Sequence, residues 1–211
     1  RLAPLTKNIN KAILPLGNKA VISHIIDKFP KNTEFVIATG CWRETVEQYI
    51  RLAHTEGNFE FIYVDNYAGS GSGPGHSLLT CERSLQCPFI FFSCDTVVEE
   101  KIAVTSSDWI GVAPTNNPAE YCTVGLKNQN VTELFDKTQG GSAKAFIGLA
   151  NIYNYEVFFS GLKQSRKTIN GEIQITAGLS ALIENQSLNA VNYTWHDTGN
   201  LNNYSKANKI F

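Results

Sequence analysis

Asp95 follows the most apolar run of the chain, Pro88-Phe89-Ile90-Phe91-Phe92, in the order Ser93-Cys94-Asp95-Thr96. An acid at the carboxyl end of a buried strand stands where open α/β sheets bind ligands. A carboxylate carried there needs a partner to offset the loss of water. A hard divalent cation is one such partner; the backbone of a turn that the acid caps is the other. The densest glycine stretch, Tyr67-Ala68-Gly69-Ser70-Gly71-Ser72-Gly73-Pro74-Gly75-His76-Ser77, lies between a strand-like and a helix-like segment. Its backbone N–H groups and the positive helix end could face an anion, or the stretch is a surface turn. Arg1 and Lys11 are two bases that would serve either a phosphate site or a solvated loop. Asp197 precedes Thr198-Gly199-Asn200, where a short acid can cap the helix that begins near Asn200. Glu172, at the head of an amphipathic segment, reads equally as a first-turn acid stabilising a helix dipole and as a ligand contact.

These residues need a scaffold, and the pattern of the chain provides one. Its 211 residues suffice for one large domain with a full core, or at most two small ones. In the first half, strand-like and helix-like segments alternate, as in a doubly wound α/β layer. Helices are expected over residues 19–28, capped by Asn18, over 44–54, with Val46, Tyr49, Ile50 and Ala53 inward, and over 77–85. Strands are expected over 34–38, 59–64 and 88–92, the last as a central strand covered on both faces. The second half reads as an added mixed or antiparallel region, with strands over 110–113, 121–126, 131–135 and 145–153. Helices over 156–163, 172–185 and 201–211 complete it, Ile175, Leu179, Leu182 and Ile183 facing inward in the second. No repeat or Pro/Ser-rich linker divides the chain, so a single domain over 1–211 is expected.

Composition narrows the function classes. A hydrophobic content of 43% with 18% charged residues fits a globular protein, and a net charge of −1 argues against a broad nucleic-acid-binding surface. No apolar stretch reaches the length of a membrane span. The five cysteines are odd in number and lack a C-x-x-C pair, which disfavours zinc and points to reduced thiols in the cytoplasm. Cys94, with apolar flanks, reads as a buried inert thiol.

The order Arg1-Leu2-Ala3-Pro4-Leu5-Thr6, then Lys11-Ala12-Ile13-Leu14-Pro15-Leu16-Gly17-Asn18-Lys19, resembles the signature of the sugar-phosphate nucleotidylyltransferases. The match is to compact members like the glucose-1-phosphate thymidylyltransferases. Trp195-His196-Asp197-Thr198-Gly199-Asn200 resembles the family's late Trp-x-Asp-x-Gly-Thr motif. Asp136-Lys137 is similar to its Glu-Lys-Pro segment, and Glu172-Ile173-Gln174-Ile175-Thr176-Ala177 to its Glu-x-x-Ile-Thr-Asp. The resemblance implies an α/β, three-layer Rossmann-like (GT-A-like) fold with a mixed central sheet. It implies a transferase that joins a nucleoside triphosphate to a sugar 1-phosphate, as in the synthesis of sugar nucleotides for cell-surface polysaccharide. By the same resemblance Asp95 and Asp197 hold Mg²⁺, and Arg1 and Lys11 neutralise the pyrophosphate. Gly71, Ser72 and Gly73 contact the nucleotide, while Lys137 and Glu172 contact the acceptor, which implies a nucleotide-binding half at 1–110 and an acceptor-binding half at 111–211. His196 is given no role, because the attacking phosphate oxygen is already anionic.

Departures from the pattern keep alternatives open. Cys94 replaces a glycine, Ala177 an aspartate, and only Gly148 remains of the usual Asn-Ala-Gly. A cytidylyltransferase for phosphocholine or a similar phosphorylated alcohol shares the pattern. A silent regulatory homologue and a GT-A glycosyltransferase are further rivals, although Asp95-Thr96-Val97 is no D-x-D element. The base, the acceptor, the oligomeric state and membership of a larger fusion stay open. The family's first strand and glycine loop would precede Arg1, and the chain has no methionine. Both absences lead to the expectation that the sequence omits residues, with some spacings compressed by one; a longer sequence with no methionine in its interior and no glycine loop before Arg1 would refute it.

Overall fold

Two segments rich in β-branched and aromatic residues, Glu34–Thr39 and Asn58–Tyr63, pair in parallel from Glu34↔Asn58 to Thr39↔Tyr63. Parallel neighbours need a crossover, and the helix Arg43–Ala53 supplies it. Val46 and Ile50 recur at helical spacing and are buried, while Phe35 stacks on Phe59 at 5.3 Å between ring centroids. The expected inner stripe is shorter by one, because Ala53 is exposed at the helix end. The computed structural model describes residues 2–137, 142–164, 168–169, 171–185 and 188–211.

Contacts group the chain into two units, one of Arg1–Asp65, Phe92–Ile102 and Thr194–Phe211, the other of Asn66–Phe91 and Ala103–Tyr193. The strand Trp109–Pro114 runs across residue 110.

In the first unit the strand Thr96–Val98 pairs antiparallel with Trp195–Asp197, Asp197 opposite Thr96. Val97 and Val98 are buried there, and Ala207 of the helix Leu201–Ala207 joins Leu16, Val21 and Val97 in one cluster. Residues 19–28 do not form one helix. Lys19–Ala20 instead pairs with Pro15–Leu16 around Gly17, whose φ of 61° suits glycine, so Asn18 lies in a hairpin turn and the helix is Val21–Ile26.

The second unit carries a six-stranded mixed sheet, ordered Phe89–Phe92, Lys144–Ile152, Trp109–Pro114, Asn189–Asn192, Asn130–Phe135, Thr123–Lys127. Asn189–Asn192 runs parallel to Trp109–Pro114, and Lys144–Ile152 runs antiparallel to it. Ile110, Val112, Ala150 and Ile152 form a core with Phe158, Leu162, Leu179 and Leu182 of the helices Tyr155–Gln164 and Thr176–Asn185. Gly178 lets those helices approach, since a Cβ there would lie 2.6 Å from the Phe158 ring. The fold class is α/β with a mixed sheet, as the sequence leads one to expect.

Two further expectations fail. Phe89–Phe92 is not central: it ends the order of its sheet, and all four residues are half-buried. Apolarity reports what a strand covers, not how many strands flank it. Residues 172–185 are not one helix either. Glu172–Ile173 pairs with Thr168–Ile169, and the helix starts at Thr176, so Glu172 is not a first-turn acid.

Asp108 gives this unit a polar anchor. It is buried, and its carboxylate accepts from Tyr153 N at 2.8 Å, Asn154 N at 3.1 Å and the Asn154 side-chain amide at 2.5 Å. Asp108→Ala would leave those donors in a dry site, which costs about 3 kcal/mol. The expected loss in a thermal melt is about 6–12 °C; an unchanged Tm would show that other acceptors replace it.

Candidate active site

Lys11 opens a 3-10 turn, Lys11–Ile13, capped by Asn10, whose side-chain oxygen accepts from Ala12 N at 2.9 Å. The Asn10 amide also donates to Cys41 O at 2.7 Å, and Ala12 and Ile13 are buried. With the turn pinned by those contacts, the Lys11 chain extends to Asp95, Nζ to Oδ2 at 2.6 Å. Both partners keep access to solvent, at 42% and 26% side-chain exposure, so a ligand can reach them.

Asp95 is tied to the late motif through its backbone. Thr198, buried, donates its N–H to Asp95 O at 2.9 Å and its hydroxyl to the same oxygen at 3.0 Å. Just before it, Asp197 pairs with Thr96 across the short antiparallel ladder. Asp197 Oδ1 accepts from Gly199 N at 2.7 Å, and Oδ2 accepts from the Asn203 side-chain amide at 2.6 Å. Upstream, Glu100 holds the ladder by accepting from Thr194 N at 2.8 Å and from its hydroxyl at 2.7 Å. Burial alone would raise the Glu100 pKa, but those hydrogen bonds and Lys28 outweigh it and hold the carboxyl below its ordinary range. Two acids 102 residues apart (197 − 95) thus occupy neighbouring positions in one unit.

Burial pushes the Cys94 thiol up, Lys11 opposing and Asp95 reinforcing, so beside the ion pair it stays a neutral thiol. His196 bonds to Glu99 Oε1 at 2.9 Å and meets Phe211 edge-on at 5.2 Å. Those contacts give it packing work. Arg1 lies outside the described residues.

The other sequence-derived residues belong to the second unit. Gly71 N donates to Gly171 O and Ile173 N donates to Ser72 O, both at 2.7 Å, so the glycine loop and Glu172 are joined through their backbones. Gly73 has a φ of +115°, and a Cβ there would lie 2.6 Å from Ile173 O. Only glycine fits that approach. Ser72 is buried, its N–H and hydroxyl both donating to Gly69 O, at 3.2 and 2.7 Å. The Gly71 and Ser72 amides therefore bond within the protein. Glu172 is exposed and accepts from the Gln174 amide at 3.1 Å. Lys137 is exposed in a turn beyond the strand Asn130–Phe135. With Asp136 it flanks Cys122, whose thiol burial lifts to about 12, Asp136 adding to the rise and Lys137 opposing it.

Sequence reasoning passed over Thr198 and Asn203. Thr198 stands inside the quoted late motif; Asn203 carries no signal beyond its place in the first turn of the helix capped by Asn200.

A comparison with known families decides what this geometry belongs to. The nucleotidyl transferase family matches residues 1–211. The chain belongs to that family. The bifunctional protein GlmU of Methanococcus vannielii is 27% identical over 222 residues, covering 100% of this chain and 52% of that protein. The low-salt glycan biosynthesis nucleotidyltransferase Agl11 of Haloferax volcanii is 23% identical, covering 100% of this chain and 62% of its own. The chain thus spans about half the length of the GlmU relative. Among solved structures, a putative glucose-1-phosphate thymidylyltransferase from Bacillus anthracis superposes with a TM-score of 0.85 at 21% identity, covering 99% of this chain and 89% of that one. An apo UDP-glucose pyrophosphorylase gives 0.84 at 18%, covering 100% and 93%. These likenesses fix the fold as that of the nucleotidyl transferase family. The resemblance read from Arg1 to Asn200 stands at the level of the family.

Proposed function

We propose that this chain is a single nucleotidyl transferase domain. It condenses a nucleoside triphosphate with a sugar 1-phosphate, in the cytoplasm, to an NDP-sugar and pyrophosphate, with Mg²⁺ as cofactor. One observation carries the reading: Lys11 meets Asp95, and Thr198 ties Asp95 to the segment that presents Asp197. Such a cluster of one cation and two acids is what a polyphosphate and its counter-ion require. An oxygen of the acceptor phosphate attacks the α-phosphorus. The bond from that phosphorus to the α,β-bridging oxygen breaks, and pyrophosphate leaves. The attacking oxygen is anionic already, so positioning and charge stabilisation do most of the work.

Lys11, with Arg1, neutralises the departing pyrophosphate. Lys137 holds the acceptor phosphate in line, Glu172 takes sugar hydroxyls, and the Gly71–Ser72–Gly73 backbone sets the shape against which the base packs. Asp95 and Asp197 would hold the ion, and the donor set suits it. Mg²⁺ is bound through one or two carboxylates, with substrate phosphates and water completing the shell. Among the described residues no three His, Cys, Asp or Glu side chains gather as a metal cage. The Lys11 ammonium at 2.6 Å from Asp95 Oδ2 is a cation in contact with that carboxylate. When bound, Mg²⁺ polarises the phosphoryl oxygens and draws off developing negative charge.

The sugar 1-phosphate is favoured over phosphocholine by exposed Glu172, suited to hydroxyls, and by Agl11, a nucleotidyltransferase of glycan biosynthesis. The test is pyrophosphate release from each of the four nucleoside triphosphates against a panel of sugar 1-phosphates and phosphocholine, with and without Mg²⁺. The expected result is Mg²⁺-dependent release with one triphosphate and one sugar 1-phosphate. Release with phosphocholine alone would reassign the acceptor, and no release under any condition would leave a silent homologue.

A further inference from the structure

We infer that Asn203 is a positioning residue for the Asp197 carboxylate, and that its side-chain amide sets the affinity of the acid pair for a divalent cation. The inference rests on the metal reading above, and it adds a residue that no sequence motif marks.

A carboxylate on a chain end rotates about two bonds, and every unneeded orientation weakens its grip on a cation. Asp197 is denied that freedom from two directions. Gly199 N, two residues on, fixes Oδ1 at 2.7 Å, and the Asn203 amide fixes Oδ2 at 2.6 Å. The first bond is local to the turn and moves with it. The second comes from another element, so it refers the carboxylate to a frame outside the turn.

That frame is well anchored. Asn203 N donates to the Asn200 side-chain oxygen at 2.9 Å, closing the first turn of the helix Leu201–Ala207. Farther along, the Tyr204 hydroxyl donates to Pro15 O, and Ala207 is buried against Leu16, Val21 and Val97. Next to Asp197 in the chain, Thr198 grips Asp95 O with two donors. Asp95 and the helix therefore hold still relative to Asp197, and the Asn203 amide converts that rigidity into a fixed carboxylate plane. An amide donor suits the task better than lysine or arginine would. It orients the oxygen through a hydrogen bond but adds no positive charge to repel a divalent ion. A carboxylate has about four acceptor sites, so an amide on one oxygen does not abolish its ability to ligate. Partners that orient a metal ligand in this way typically change metal affinity by about 10–100-fold when removed.

Asn203→Ala tests this. Alanine is the best helix former, and the Asn203 backbone bond to Asn200 survives the change, so the helix is expected to persist. The first readout uses no turnover: Mn²⁺ is titrated into the full chain and free ion is followed by its EPR signal. The wild type is expected to bind Mn²⁺, and Asn203→Ala about tenfold more weakly, with circular dichroism and Tm close to wild type. The second readout is the Mg²⁺ dependence of pyrophosphate release. The half-saturating Mg²⁺ concentration should rise about tenfold, while the rate at saturating Mg²⁺ stays within about threefold. A merely structural role would lower both the rate and the Tm without moving the Mg²⁺ midpoint. Should Asn203→Ala fail to fold, Asn203→Ser, whose shorter side chain stops short of Asp197, is measured in its place. Equal Mn²⁺ affinity in wild type and variant overturns the role of Asn203 and leaves the metal reading standing. A wild type that takes up no Mn²⁺ overturns both.

Discussion

Asp95→Asn is expected to lower pyrophosphate release by about a thousandfold or more at saturating Mg²⁺, with the fold intact. Asparagine keeps the shape of the side chain and one oxygen, but it loses the charge that a hard cation requires. The fold should survive because the structural duty at this position belongs to the main chain. Asp95 O receives the Thr198 N–H and hydroxyl, and both bonds are indifferent to the side chain. What disappears is an ion pair with Lys11 that is partly open to solvent, and such pairs contribute about 0–1 kcal/mol. A melt within about 4 °C of wild type should therefore accompany the lost activity. A variant with near-normal turnover would mean that Asp95 serves Lys11 alone and that the cation sits elsewhere. A variant that failed to fold would place the acid in the architecture instead of the chemistry.

The regular elements were legible wherever one period governed a segment. Val46 and Ile50 gave away the helix Arg43–Ala53, and the apolar runs at 34–38 and 59–64 gave away the strands Glu34–Thr39 and Asn58–Tyr63. Errors arose where two local signals competed. Asn18 has the chemistry of a cap, but Gly17 beside it can adopt a positive φ, and the hairpin turn prevailed. Glu172 leads a stretch with helical spacing, yet the pairing of Glu172–Ile173 with Thr168–Ile169 and the bond from Ile173 N to Ser72 O hold it extended. The same contact explains why the glycine loop was only half legible. Its glycines were read either as amides facing an anion or as a surface turn; Gly71 N bonds to Gly171 O, and Gly73 allows close approach to the Ile173 backbone, which spacing does not show.

The candidate site was legible in its charged members and silent in its neutral ones. Asp95 announces itself by charge at the end of an apolar run, and Lys11 and Asp197 by the family motifs that their segments resemble. Thr198 and Asn203 matter only because the ladder of Thr96–Val98 with Trp195–Asp197 brings a late turn against an early one. Nothing in local sequence encodes that meeting. Long-range register is decided by burial of Val97 and Val98 and by the two-donor grip on Asp95 O, neither of which is visible from spacing.

Lys11→Met should move two measurements in opposite directions. Pyrophosphate release is expected to fall by about 100- to 1,000-fold, because one of the cations facing the departing group is gone. Mn²⁺ uptake by the substrate-free chain is expected to strengthen, by about tenfold. In that state the Lys11 ammonium sits 2.6 Å from Asp95 Oδ2, so an incoming cation must displace it or bind against its charge. Like charges about 4 Å apart repel by about 4 kcal/mol at an effective dielectric near 20. Solvent access at this pair and the pairing lost by Asp95 leave a fraction of that, hence about tenfold. Lys11→Arg would keep the charge and so the weaker uptake, while its planar fork, fitted to bidentate partners, would not restore the rate. The sign of the Mn²⁺ effect is the decisive quantity, since it is opposite to that expected for Asn203→Ala. Weaker uptake in Lys11→Met would mean that Lys11 braces Asp95 for the cation, and the ammonium would have to be reassigned from occupant to support.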